Sequence, residues 1–169
     1  TNSLPRKIYG PEELRNGLAR RELVNHYQPQ IDMNSGRFTG VETLVRWQHP
    51  DDGLVFPDQF IGTAEDHGLI DELTRQVLMN ALQQGKIWQD AGLRLRLSVN
   101  ISMDNLVSLD FADYVIRSVE RVDIPLSDIV LEVTESRLTS NLLAPMDILT
   151  RIRLKHIGLS IDDFGTGHS

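Results

Sequence analysis

Phe38-Thr39-Gly40-Val41-Glu42-Thr43-Leu44-Val45-Arg46-Trp47 alternates in a way that decides how the rest of the chain is read. Period-two alternation predicts a β-strand with Val41, Thr43, Val45 and Trp47 on one face and Glu42, Leu44 and Arg46 on the other. A carboxylate and a guanidinium therefore share a face, while the opposite face is fit to pack against other elements.

Working outward, His26–Asp32 reads as a preceding strand, joined to Phe38–Trp47 by the turn signal Asn34-Ser35-Gly36. The two should pair antiparallel as a hairpin. Further strands are expected at Leu93–Ser102, Asp128–Ser136 and Gly158–Phe164. Helical patterns separate them: Asp58–His67 after Pro57, a long one over Ile70–Ala91, one over Asp110–Arg121, and one following Pro145. Leu73, Val77, Ala81 and Trp88 form the apolar stripe of the long helix, with Gly92 as its stop. A first helix begins at Pro11, with Leu14 and Leu18 four apart. Strands alternating with helices predict a parallel α/β domain over residues 11–169, with Thr1–Gly10 as the end of a linker.

Composition narrows the function classes. Seventeen Lys and Arg against 24 Asp and Glu give a formal net charge of −7 over 169 residues. Polymeric nucleic acid is a poor partner for such a chain, because that binding draws on clustered cations. Arg151-Ile152-Arg153-Leu154-Lys155 reads as a solvated helix face. There is no cysteine, which excludes disulfides and thiolate metal sites and suits a reducing compartment. No apolar run approaches the ~18 residues of a membrane span. His26, His49, His67, His156 and His168 show no metal-ligand spacing, and Trp47 and Trp88 read as core residues.

Chemistry appears where strand parity is followed to the strand ends. In Leu93–Ser102 the face opposite the apolar one ends in Ser98, Asn100 and Ser102; in Asp128–Ser136, Val130, Glu132 and Thr134 share a face. The fifth strand ends in Asp162-Asp163 and breaks at Phe164-Gly165-Thr166-Gly167. In a parallel barrel the C-terminal strand ends carry the site. Glu42, Asn100, Glu132 and Asp162 would converge there as hard oxygen donors, suited to Mg²⁺ or Mn²⁺ and not to zinc. A strand break at the glycines would turn Asp163 towards a second ion, giving a two-metal site for phosphodiester hydrolysis. Arg46 would offer a charge-assisted bond to phosphate, worth about 1.5–3 kcal/mol.

At these residues the sequence resembles the EAL domain family of cyclic di-GMP phosphodiesterases. Glu42-Thr43-Leu44-Val45-Arg46 is similar to its signature, with Thr43 where the family usually has Ala. Tyr27-Gln28-Pro29, Val99-Asn100-Ile101-Ser102, Glu132-Val133-Thr134-Glu135 and Asp162-Asp163-Phe164-Gly165-Thr166-Gly167 follow in family order. Gly62 stands where a proline is common and His168 where a Tyr is usual.

The resemblance implies a TIM-type barrel with an antiparallel first strand, of which this chain covers roughly the first five strands. It also implies hydrolysis of cyclic di-GMP to linear pGpG with Mg²⁺ or Mn²⁺. Glu42, Asn100, Glu132 and Asp162 would hold the first ion, and Asp162 and Asp163 the second. Gln28, Leu44 and Arg46 would contact the dinucleotide, and Glu135 would anchor the loop after Asp163. The general base is expected beyond Ser169, so no catalytic residue is assigned in this chain, which alone should be inactive. A homodimer, an upstream sensor or receiver domain and a bacterial cytoplasmic location, in a parent that could be membrane-anchored, are further implications. The rival reading is an EAL domain without catalysis that acts as a cyclic di-GMP receptor or protein-interaction module. A third is a metal-dependent hydrolase of another phosphodiester.

Overall fold

Alternation along the strands places one apolar face under the helices, and the computed structural model, which describes residues 7–134 and 142–161, is built around that face. The elements are α1 (Pro11–Ala19), β1 (Leu23–Ile31), β2 (Phe38–His49), β3 (Gly53–Val55), α2 (Ile61–Asp66), α3 (Ile70–Asp90), β4 (Arg96–Ser102), α4 (Leu109–Val122), β5 (Ile129–Thr134), α5 (Leu143–Leu154) and β6 (Gly158–Ile161). One sheet runs in the order β1-β2-β4-β5-β6, with β3 paired to β2. β2, β4, β5 and β6 are parallel, and β1 lies antiparallel at one end. This is the arrangement expected of the first strands of a TIM-type barrel with an antiparallel first strand.

The hairpin forms where Asn34-Ser35-Gly36 predicted it. Asp32 accepts from the Asn34 N–H at 2.9 Å and from the Ser35 hydroxyl at 3.1 Å, which hold its carboxyl below the usual carboxylate range. Gly36 takes the positive φ of 68° that the turn requires.

Val41, Trp47, Leu97, Val99, Ile101, Ile129, Leu131 and Val133 are buried on the helix-facing side, against Leu73, Val77 and Ala81 of α3 and Phe111, Val115 and Val119 of α4. Trp88, on the same stripe of α3, is partly buried and meets Tyr27 edge-on at 5.1 Å. Gly40 marks a close approach of β2 and β4. A Cβ there would meet the Arg96 carbonyl oxygen of β4 at 2.4 Å, so any side chain would force β2 and β4 apart.

Several boundaries differ from the sequence expectation. β1 starts at Leu23, three residues before His26, because Leu23 and Asn25 continue the helix-facing row. β4 starts at Arg96; Leu93 is 45% exposed and Arg94 leaves the sheet line to pair with Asp128 at 2.7 Å. The single helix expected over Asp58–His67 is a 3₁₀ turn, Pro57–Gln59, followed by α2. Phe60 breaks it, with φ −143°, by turning its buried ring edge-on to Trp47 at 5.7 Å. α5 begins at Leu143, before Pro145, since proline is tolerated in a first turn. β3 is only three residues long and was not expected.

The stretch read as a linker end also contributes to the core. Tyr9 is 2% exposed, packed on Trp47 at 4.9 Å and His49 at 5.2 Å. Its apolar ring is removed from water, a gain a free linker would forgo. Among the described residues no helix is long and apolar enough to cross a membrane.

Candidate functional site

The opposite face of the sheet collects the candidate residues. Gln28 of β1 pairs directly with Glu42 of β2, so both side chains stand on that face. Glu42 pairs with Ser98 of β4, and Asn100 pairs with Glu132 of β5. Asn100 and Glu132 are therefore level, and Glu42 sits one step of the pleat below them in the register.

Glu42 is not at the end of its strand, as the sequence reading had it. The parallel pairing of β2 with β4 stops at Thr43, but β2 runs on to His49 by pairing with β3. Glu42 thus lies near the end of the parallel ladder. Leu44 and Arg46 continue above it along the same face, at the mouth formed by the strand ends.

That mouth holds a cavity of about 490 Å³. Leu44, Arg46, Asn100, Ser102 and Thr134 line it from the open face of the strands and Thr43, Val45 and Ile101 from the helix-facing row, with Asp58 and Glu65 from the segment after β3 and Leu73 and Val77 from α3. Glu42 and Glu132 are half-buried and stand outside its lining. The Asn100 amide donates from Nδ2 to the Thr43 carbonyl at 3.4 Å, which leaves its Oδ1 as the atom available to a cation. Ser102 closes the end of β4: its hydroxyl donates to Glu65 Oε2 at 2.6 Å, and its N–H donates to Asn105 Oδ1 at 2.9 Å.

Arg46 is half-buried and held on two sides. Its Nη1 donates to the Val45 carbonyl at 2.8 Å, and its guanidinium lies over the Phe56 ring, 4.7 Å from the centroid. Its Nε is buried with no hydrogen-bond partner. An unpaired buried donor on a charged group is costly.

Among the described residues no three His, Cys, Asp or Glu side chains form a metal-holding cluster. Two carboxylates and one amide, Glu42, Glu132 and Asn100, are what the described strands bring to this face. All are hard oxygen donors, and such a set fits Mg²⁺ or Mn²⁺. Asp162, Asp163 and Glu135, the other residues singled out from the sequence, lie outside the described residues.

Sequence reasoning missed Phe56 and the contact of Glu65 with Ser102. The first depends on the unexpected β2–β3 pairing and the second joins segments 37 residues apart, and neither has a periodicity that would announce it. His26, read as structural or exposed, is exposed on the candidate face, paired with Leu44.

The EAL domain model matches residues 11–169. The bifunctional diguanylate cyclase/cyclic di-GMP phosphodiesterase MucR of Pseudomonas aeruginosa is 40% identical over 158 residues, which cover 93% of this chain and 23% of that protein. The cyclic di-GMP phosphodiesterase NbdA of the same organism is 42% identical over 159 residues, covering 94% of this chain and 20% of that protein. The chain therefore spans about a fifth to a quarter of the length of these relatives. Among solved structures, the MucR phosphodiesterase in complex with c-di-GMP superposes with a TM-score of 0.83 at 40% identity, over 94% of this chain and 64% of that one. The EAL enzyme Bd1971, in its cAMP- and cyclic-di-GMP-bound form, gives 0.83 at 29% identity, over 94% and 44%. A helix-backed sheet with hard oxygen donors on its open face, matched over almost its whole length by one family model, places this chain in the EAL domain family.

Proposed function

We propose that the domain to which this chain belongs hydrolyses cyclic di-GMP to linear pGpG with Mg²⁺ or Mn²⁺ bound. The observation that carries the reading is the juxtaposition of Glu42, Asn100 and Glu132 on one face with Arg46, whose buried Nε is unpaired, at the same mouth. The named activity of the MucR and NbdA relatives supports the choice of substrate.

In this reading Glu42, Asn100 and Glu132 would hold the first ion with Asp162, and Asp162 and Asp163 would hold the second. Bound there, such ions would supply a lowered pKa of water and positive charge beside the phosphodiester. Arg46 donates from its guanidinium to a non-bridging phosphate oxygen, and its charge strengthens that bond. Leu44 offers an apolar contact to a base, and Gln28, exposed beside Glu42, offers an amide. Glu135 would anchor the loop after Asp163, as the family resemblance implies.

The test is product analysis with the full-length protein, cyclic di-GMP and Mg²⁺. Formation of pGpG, lost in Glu42→Gln, is expected. Tight binding of the dinucleotide with no pGpG from the intact protein would replace the enzyme reading with a receptor.

A further inference from the structure

Arg46 is held by a chain of contacts that begins at the N-terminal segment. Tyr9 N–H donates to the Gln59 carbonyl at 2.9 Å, and the Tyr9 carbonyl accepts from the Thr63 hydroxyl at 2.6 Å. The Gln59 side chain bridges two segments: its Nε2 donates to the Lys7 carbonyl at 3.2 Å, and its Oε1 accepts from the Phe56 N–H at 3.2 Å. The amide can have only this orientation, since a carbonyl must accept and an N–H must donate. Phe56 in turn carries the ring over which the Arg46 guanidinium lies. Between Phe56 and Gln59, Pro57 and Asp58 line the same cavity as Arg46.

We infer that Gln59, Phe56 and the clasped Lys7–Tyr9 segment are positioning elements for Arg46, so that displacement of this N-terminal segment loosens the grip on an anionic nucleotide. The clasp has a firm outer end. The Tyr9 ring is in the core, its hydroxyl donates to Asp52, and Lys7 Nζ also bonds Asp52 at 3.2 Å. Its inner end is less constrained, because Phe56 is 38% exposed and, among the described residues, the Arg46 guanidinium makes one hydrogen bond, to the Val45 carbonyl. A pull at Lys7 is therefore transmitted to the Pro57–Gln59 turn and the Phe56 ring. The inference rests on the reading of Arg46 as the phosphate contact.

The experiment measures cyclic di-GMP binding without divalent cation, and KM and kcat with Mg²⁺, in full-length Phe56→Ala, Phe56→Tyr, Gln59→Glu and Arg46→Ala variants. Loss of the ring from Arg46 should weaken binding about two- to fivefold, the scale of an exposed cation–π contact. Gln59→Glu, which cannot donate to the Lys7 carbonyl, should shift binding in the same direction. KM should rise with kcat held, and Phe56→Tyr should bind as wild type. In the double variant Arg46→Ala with Phe56→Ala, the second change should add nothing, because contacting residues are not additive. Wild-type binding by Phe56→Ala and Gln59→Glu, with Arg46→Ala weakened, would overturn the clasp alone. Unchanged binding by Arg46→Ala would overturn the phosphate reading first. Full additivity in the double variant would reduce Phe56 to a structural residue.

Discussion

The helix-facing side of the sheet and its open side are built from the same strands, one residue out of phase. Val41, Leu97, Val99, Ile129, Leu131 and Val133 on the first are 3% exposed or less. Glu42, Arg46 and Glu132 on the second are half-buried, and Gln28 and Asn100 are exposed. The apolar row carries the folding free energy through burial. The polar row stays in contact with water, since desolvating an unpaired charge is prohibitive. Fold and chemistry are thus separated by the pleat, and substitutions on the two faces should separate as well.

The largest effect tests that separation. Leu131→Ala, on the helix-facing row, should cost about 2–5 kcal/mol of stability in chemical denaturation. Glu42→Gln, on the open row, should move the unfolding free energy by less than about 0.5 kcal/mol. Its rate of pGpG formation in the full-length protein should nevertheless fall at least about 100-fold, beyond what loss of an outer-sphere group causes. Equal stability losses for the two variants would break the comparison.

A smaller effect sharpens it. Thr43 is an exception on the helix-facing row: it is 2% exposed and its hydroxyl has no hydrogen-bond partner. The Ala usual at this position in the family would present no such group. Thr43→Val, which keeps the shape and removes the hydroxyl, should raise stability by about 1 kcal/mol, read from the same denaturation curves. A loss of stability would show that the hydroxyl is satisfied in solution.

The smallest effect concerns Tyr9, a polar group in the core that does have a partner. Burial first, and then its hydrogen bond to Asp52, push its phenol up from 10.0 to about 12. A raised pKa favours the protonated form, so its contribution is complete below pH 10 and lost as pH rises through about 12. Unfolding midpoints of wild type and Tyr9→Phe should converge over that interval. A constant difference between them would detach the hydroxyl from the stability of the core.

Much of this was legible along the chain. The row Glu42, Leu44, Arg46 and the row Glu132, Thr134 followed from alternation alone, and the observed burial of their neighbours agrees. The hairpin turn and the start of α1 at Pro11 were local signals and were met locally. Phe60 was not legible, because its ring breaks a helix for a contact with Trp47 that lies in another element. Tyr9 lay in a segment without periodicity, and only packing on Trp47 and His49 gives it a place.

By itself the sequence determined which side chains share a face, because strand parity is a property of consecutive peptide units. Only the tertiary structure decided their levels. Asn100 stands opposite Glu132 while Glu42 stands opposite Ser98, because register depends on hydrogen bonds between strands far apart in the chain. The same holds for the clasp of Gln59 on Lys7 and Phe56, whose partners are brought together by the packing of Tyr9 into the core.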